Sequence, residues 1–419
     1  MRTSQLYRAR HLLPIGAPPL EDGALLVEAG CLRAVGSHRE LAAAHPRAAA
    51  IDFGDAVLLP PLVNAHTHLE LTGAAQWAAA AGDDAVPRDF VDWILQLVRL
   101  RRTVTTAELR AALTRGLEQS LRAGTGAIGD IFTTLAAADA YAGTPLRGRV
   151  FAEVLGVDPE RVTARLAEIS ARLGTPPAPA LAWGLSPHAP YTLNAATLAA
   201  TLDFARRHDL PLAMHWAESA AERELLEQGE GPFAARLYPA VGWPCPPRSP
   251  GGGGTGPANF PPGSLMIHGT HARVADIETL VGAGLAVVLC PRSNSRFGAT
   301  RAPLAAFRQA GVPLALGTDS LASSPSLSVW DELAFAREWF GGALAPADWL
   351  EIATAGGAAA LGLGGRLGRL AAGLEASFQV VAVPVGAGAA DLAEALCAGG
   401  KHVVVQALYL GGENVLPLP

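Results

Sequence analysis

The stretch Val57-Leu-Leu-Pro-Pro-Leu-Val-Asn-Ala-His66-Thr-His68 decides the fold. A short apolar run ends in two histidines at i and i+2, and on a strand those positions face the same side. Taken alone, an H-x-H at a strand end is weak evidence for a metal, which needs ligands from elsewhere. Working outward from it, seven more runs share its form: GTGAIGDIF (124–132), RGRVFAEVLG (147–156), LAWGLSPHAP (181–190), PLAMHWAES (211–219), SLMIHGTH (264–271), AVVLCPRSN (286–294) and PLALGTDS (313–320). Between several of them lie stretches with helical apolar spacing, such as AELRAALTRGLEQSLRAG (107–124). Such alternation predicts parallel strands, and eight units predict an α/β fold of the (β/α)8 TIM-like barrel type over 57–361. A doubly wound open sheet would alternate in the same way, without accounting for what sits at the strand ends.

Those ends collect the polar residues. His66 and His68, His188, His215, His268 and Asp319 close five different runs, on the face that carries active sites in such barrels. Chance placement is a poor explanation when the whole chain has 11 histidines. Residues 1–56 and 362–419 read differently, as short strands such as GALLVEAGCLRAVG and FQVVAVPV joined by Gly-rich turns. They are expected to meet in one small composite β-sandwich domain. The Pro/Gly run WPCPPRSPGGGGTGPANFPPG (243–263) predicts a mobile loop that neither forms a helix nor packs a core.

Composition limits the function classes. The chain has 419 residues, half of them hydrophobic, and a formal charge of −6 with no basic run, which argues against nucleic acid or an anionic membrane as partner. Cysteines 31, 245, 290 and 397 are scattered, and no apolar run approaches the ~18–20 residues of a membrane span. A cytoplasmic enzyme acting on a small molecule is the expectation, with a homodimer as a possible assembly.

The candidate residues each carry an alternative. His215 is a natural third imidazole beside His66 and His68, a set that suits Zn²⁺ or Fe²⁺. Asp319 is either a fourth ligand or a turn aspartate. Ser219-Ala-Ala-Glu222 has the form of a capping box, which gives Glu222 a structural task. Glu218, just before it, is then either a proton shuttle in the mouth or a solvated carboxylate. His268 ends its apolar run and should face inward, whereas His271 suits a structural hydrogen bond. His188 is a substrate contact or a satisfied buried histidine.

With these residues in place, the chain resembles the amidohydrolase superfamily, in its cytosine deaminase-like and chlorohydrolase-like branch. PLVNAHTHLE, MHWAES, MIHGTH and LGTDSLAS resemble the signatures of strands one, five, six and eight. Residues 353–383 resemble the return to the β-domain, departing at Ala376-Ser-Phe378 where Lys/Ala-Asp-Leu is usual. The resemblance implies that His66, His68, His215 and Asp319 hold one divalent metal ion, zinc before iron or manganese. It makes Glu218, His268 and Asp319 the catalytic groups. The two-metal members often use a carboxylated lysine, but the only lysine here is Lys401, outside the barrel. A bridging glutamate, with Glu153 as candidate, is the remaining route to a second metal. SPHAPYT, CPRSN and GTDSLASSPSLSVWDELAFA resemble the adenine nucleoside deaminases, where the residue matching His188 contacts the nucleoside. FVDWILQLVRLRR (90–102) is similar to the aminodeoxyfutalosine deaminases of menaquinone biosynthesis. Their substrate carries a remote benzoate, for which Arg99, Arg101, Arg102, Arg292 and Arg296 are candidate anchors. The rivals are turnover of S-adenosylhomocysteine, 5′-deoxyadenosine, guanine, cytosine or a triazine on the same site, and a non-catalytic barrel scaffold.

Overall fold

The computed structural model describes residues 4–83, 87, 89–244, 256–298, 300–383, 387–388 and 391–416. Eight parallel strands lie within the eight expected runs. Leu62–Thr67, Thr125–Phe132, Arg147–Val154 and Leu181–Pro187 pair in that order in one sheet. Ala213–Trp216, Leu265–His268, Ala286–Leu289 and Leu314–Leu316 pair in order in a second. Two parallel bridges join the sheets, Leu185 to Leu212 at one seam and Thr67 to Asp319 at the other. Backbone hydrogen bonds from His215 N to His188 O (2.9 Å) and from Asp319 N to His66 O (3.1 Å) cross the same seams.

The strands are apolar on both faces because both are covered. Leu62, Ile128, Val150, Leu185 and Val287 join one core cluster with helix residues such as Leu113, Leu117, Val162 and Leu166. Their neighbours Val63, Ala127, Phe151 and Val288 join a second cluster with few helix residues. This two-residue period is what a strand imposes. The helix Thr106–Arg122 shows the local logic: Thr105 and Glu108 form its capping box, and Leu109, Leu113 and Leu117 make its buried stripe.

The opening run 57–68 does not form one strand. Pro60 and Pro61 offer no N–H to a ladder, and the chain changes sheets there. Ala56–Leu59 pairs with Gln5–Leu12 and Phe378–Ala382 in the terminal sheet, and only Leu62 onward enters the parallel set. Strands from both chain ends meet in that terminal sheet, and hydrogen bonding links its eight strands into one sheet rather than two. Tyr7, Phe378 and Tyr409 anchor it with ring centroids 4.5–5.0 Å apart. Helix Leu392–Gly399, inside the C-terminal segment, packs elsewhere: its Leu392, Leu396 and Cys397 lie in the large core with Trp330, Leu333 and Trp349.

The centre of the expected mobile loop, 245–255, lies outside the described residues. Its C-terminal part is packed, contrary to expectation. Pro257–Asn259 form a single 3-10 turn, and Phe260 is buried in the main core, since one aromatic ring suffices to anchor a Pro/Gly segment. No helix among the described residues is long and apolar enough to cross a membrane.

Candidate active site

The predicted residues converge. His66 lies within the first parallel strand and His68 one residue past its end. His215 sits in the fifth strand, His268 ends the sixth, and Asp319 follows the eighth. One ligand atom each from His66, His68 and Asp319 lie within 4.8 Å of one another, as do those of His66, His215 and His268. His68 Nε2 is 3.1 Å from His215 Nε2, and Asp319 Oδ1 is 3.6 Å from His66 Nε2 and 3.7 Å from His68 Nε2. Ligands at ~2.0–2.1 Å from one zinc ion stand roughly 3–3.5 Å apart.

The residues fit such an ion. Both ring nitrogens of His66 are buried and make no hydrogen bond. An imidazole left this way is costly unless a ligand takes a lone pair. His215 Nδ1 donates to the His188 carbonyl at 2.8 Å, which fixes the tautomer and leaves Nε2 free to coordinate. Burial, reinforced by the neighbouring His66 ring, lowers the His68 pKa to about 4, so its ring is neutral. Burial works against the Asp319 carboxylate, but the surrounding imidazoles, His66 first, hold it well below its usual range. Three imidazoles and a carboxylate suit a divalent ion.

The eighth strand reaches this point through local chemistry. Asn64 Nδ2 donates to Thr318 Oγ1 (2.8 Å) and Asn64 Oδ1 accepts from Thr318 N (3.0 Å), clamping the first strand to the eighth. Gly317 has to be glycine, because a Cβ there would lie 2.8 Å from the His66 carbonyl oxygen. Asp319 Oδ2 accepts from Ser293 (2.6 Å) and Ser323 (2.9 Å), and Oδ1 accepts from Ser320 N (2.7 Å). Asp319 (φ 58°), His268 (φ 74°) and Ala217 (φ 50°) all occupy the left-handed region. That conformation costs a residue with a Cβ ~1–3 kcal/mol, and such strain clusters at functional sites.

Glu218 and His268 face each other, with Oε1 3.4 Å from Nε2. Burial pushes the Glu218 carboxyl well above its ordinary range, helped by the charges of Asp319 and Glu222. Burial likewise lowers His268 to about 3. Asn294 Nδ2 lies 3.2 Å from His268 Nδ1; with the amide nitrogen donating, Nε2 carries the ring proton toward Glu218. Ser219 caps the helix Ala220–Gln228 as expected, accepting from Glu222 N. The Glu222 carboxylate, however, reaches one step further than a capping box, taking Ala217 N (2.9 Å) and Glu218 N (2.8 Å). It therefore holds the backbone that aims Glu218.

His188 lines the cavity, with Nδ1 2.9 Å from Thr192 Oγ1 and Nε2 3.9 Å from Glu153 Oε1. Glu153 also takes the Thr133 hydroxyl at 2.7 Å, and it groups with His188 and His215 rather than with His66, His68 and Asp319. The His271 backbone carbonyl accepts from Arg223 Nε (3.0 Å) and Nη2 (2.7 Å). Ser293 and Asn294 were not singled out from sequence; the only signal was their place in CPRSN.

The site opens into a cavity of about 430 Å³. Trp93, Ile94, Leu97 and Val98 of helix Phe90–Arg101 form one apolar wall, and Leu155 and Leu237 add to the apolar lining. Of the five candidate arginines, two line it. Arg101 is engaged, bonding Glu70 and Thr134 at 2.9 Å each, while Arg102 is exposed. Arg99 pairs with Asp83 and Arg292 is buried against Glu332, and neither lines the cavity. Arg296 is exposed and outside the cavity lining.

Comparison with known proteins points to one family. A model described as "Amidohydrolase family" matches residues 57–415. An aminodeoxyfutalosine deaminase of Deinococcus radiodurans is 33% identical over 355 residues, 81% of each chain. A 5-methylthioadenosine/S-adenosylhomocysteine deaminase of Nitratidesulfovibrio vulgaris is 31% identical over 373 residues, 86% of this chain and 78% of that one. The crystal structure of a zinc-bound adenosine deaminase from Xanthomonas campestris superposes with a TM-score of 0.79 at 26% identity, covering 99% of this chain and 93% of that one.

Proposed function

The chain belongs to the amidohydrolase family and is a hydrolase acting on C–N bonds, and on that premise we propose that it deaminates the adenine base of 6-aminodeoxyfutalosine. The observation that carries the reading is Glu218: a buried carboxyl with raised pKa, opposite His268 and beside the His66–His68–His215–Asp319 cluster. A plain hydrolytic site needs a nucleophile and a base. A buried protonated acid adds what an aromatic amine requires, a proton for the ring before attack. We read the two bridged sheets as one (β/α)8 barrel that begins at Leu62 rather than at 57 and runs to about 361, with residues 1–59 and 362–419, apart from helix Leu392–Gly399, as its companion domain.

His66, His68, His215 and Asp319 would hold one divalent ion, zinc by preference, which when bound supplies a water acidic enough to give hydroxide near neutral pH. Glu218 donates its proton to the ring nitrogen next to C6, making that carbon electrophilic. Asp319, kept ionised by its imidazole neighbours, takes the proton released as the water oxygen joins C6. His268 stays neutral and offers its Nε2–H to that oxygen as charge develops. The proton held on Asp319 passes to the amine, the C–N bond breaks and ammonia leaves, while the hydroxyl proton returns to Glu218 as C6 becomes a carbonyl. His188 and Glu153, lining the same cavity, contact the nucleoside.

A substitution tests the reading. Glu218→Gln should lower kcat about 10²–10⁴-fold and leave the metal content unchanged; full turnover would sink it. A second reading, deamination of 5′-methylthioadenosine or S-adenosylhomocysteine, is favoured by the Nitratidesulfovibrio relative. Comparing kcat/KM for the three nucleosides decides between them. A cytoplasmic place in menaquinone biosynthesis and a homodimeric assembly complete the proposal; light scattering on the purified protein checks the dimer.

A further inference from the structure

The helix Phe90–Arg101 turns one face to the cavity: Trp93, Ile94, Leu97, Val98 and Arg101 all line it. That spacing of three and four is what one side of a helix presents. Arg101, on the last turn, is committed to Glu70, whose carboxylate also caps Thr133 N and Thr134 N. Arg102 is the next residue, the C-cap of the helix, and it too lines the cavity. Among the described residues, no acidic group or carbonyl receives its guanidinium.

Position separates this cation from the chemistry. The reacting end is closed, with His66, His215, Glu218, His268 and Asp319 all buried. Arg102 is exposed, so it stands at the open end, and the apolar wall of Trp93, Ile94, Leu97 and Val98 belongs to the helix that ends on it. Leu155, which also lines the cavity, is 41% exposed, a large apolar side chain left toward solvent. An adenine at the closed end would leave its 5′ substituent in this apolar passage. A flat or aliphatic group with an anionic tip matches such a passage, since a free guanidinium pairs bidentately with a carboxylate.

We propose that Arg102 is a specificity-determining residue that binds a carboxylate at the end of the substrate remote from the base. The inference rests on the deaminase reading above and sharpens it, because it sorts nucleosides by the charge of their 5′ substituent. Arg101 does not share the task, being held by Glu70.

The test compares wild type, Arg102→Met and Arg102→Lys on 6-aminodeoxyfutalosine, which ends in a benzoate, and on 5′-methylthioadenosine, which ends in a neutral thioether. Arg102→Met should lower kcat/KM for the benzoate nucleoside about tenfold or more, mostly through KM, because one charge-assisted pair is worth about one to two decades. The neutral nucleoside should change less than about twofold. Arg102→Lys should recover part of the loss, since it restores the charge without the fork. Dissociation constants for both nucleosides in the inactive Glu218→Gln background, with and without Arg102→Met, should show the same selective loss without turnover. Equal losses on both nucleosides, or no loss on either, overturn the anchor while leaving the deaminase reading intact. So does a wild-type enzyme that prefers the neutral nucleoside. A wild-type enzyme that deaminates neither nucleoside defeats the deaminase reading itself.

Discussion

Glu332→Gln removes one charge from an ion pair that the fold buries. Arg292 Nε donates to Glu332 Oε2 at 2.5 Å and Arg292 N donates to Oε1 at 2.8 Å, with side-chain exposures of 7% and 0%. Glutamine keeps the volume, so no cavity opens, but the guanidinium loses its main countercharge. Breaking such a pair costs ~3–5 kcal/mol. The residual partners place this one at the lower end. Asp331 stands 3.7 Å from Arg292 Nη1, and the arginine still donates to Ser326 Oγ (2.9 Å), Ser326 O (2.8 Å) and Ser328 O (3.3 Å). About 3 kcal/mol is therefore expected. At ~2.1 cal/mol/K of unfolding entropy per residue, this lowers Tm by roughly 3 °C for a cooperative unit of this size. The loss should also reach the site. The helix Pro291–Arg296 carries both Ser293, which bonds Asp319, and Asn294, which bonds His268. Misplacement by a fraction of an ångström there should reduce kcat about tenfold. Urea unfolding at fixed metal concentration and steady-state assay measure the two effects. The double variant Arg292→Met/Glu332→Leu removes both charges and should regain most of the stability. A Glu332→Gln cost below ~1 kcal/mol, or a double variant as damaged as both single losses together, would refute the reasoning.

Three further outcomes are expected. Ala217→Gly relieves a left-handed alanine (φ 50°) between His215 and Glu218 and should raise stability by about 1 kcal/mol in chemical denaturation; a loss would mean that the strain is not there. Chelation should abolish turnover and lower Tm, with up to ~4 kcal/mol of stabilisation lost if the ion was present at a thousand times its Kd, and added zinc should restore both. The Glu222 pKa is raised by burial from 4.5 to about 7, so the folded state holds its proton longer than the unfolded state does. Its contribution is intact below about pH 4.5 and falls by roughly 3 kcal/mol as pH rises to about 7. Glu222→Gln should gain on wild type by that order between pH 4.5 and 8 in paired melting curves; parallel curves would contradict the assignment.

Local pattern was enough for much of this protein. The strand positions, the shared face of His66 and His68, and the gathering of His188, His215, His268 and Asp319 at strand ends were legible because strands alternate with period two and parallel strands present their C-terminal ends together. The lone Lys401 likewise read directly as the absence of a lysine bridge. Other features were decided by contacts across long sequence separations. Pro60 and Pro61 signalled a break, but pairing with Phe378–Ala382 put Ala56–Leu59 in the terminal sheet. Ser219 and Glu222 looked like an ordinary capping box; the left-handed turn at Ala217 let the carboxylate take two N–H groups beside Glu218 instead. Arg101, Arg102 and Arg292 are alike as residues and differ only in their neighbours. Glu70 holds one, Glu332 buries another, and nothing among the described residues claims the third. Sequence specifies which groups a chain carries and on which side of an element they emerge. Whether a charge is already neutralised depends on partners tens to hundreds of residues away, and only the tertiary structure brings those together.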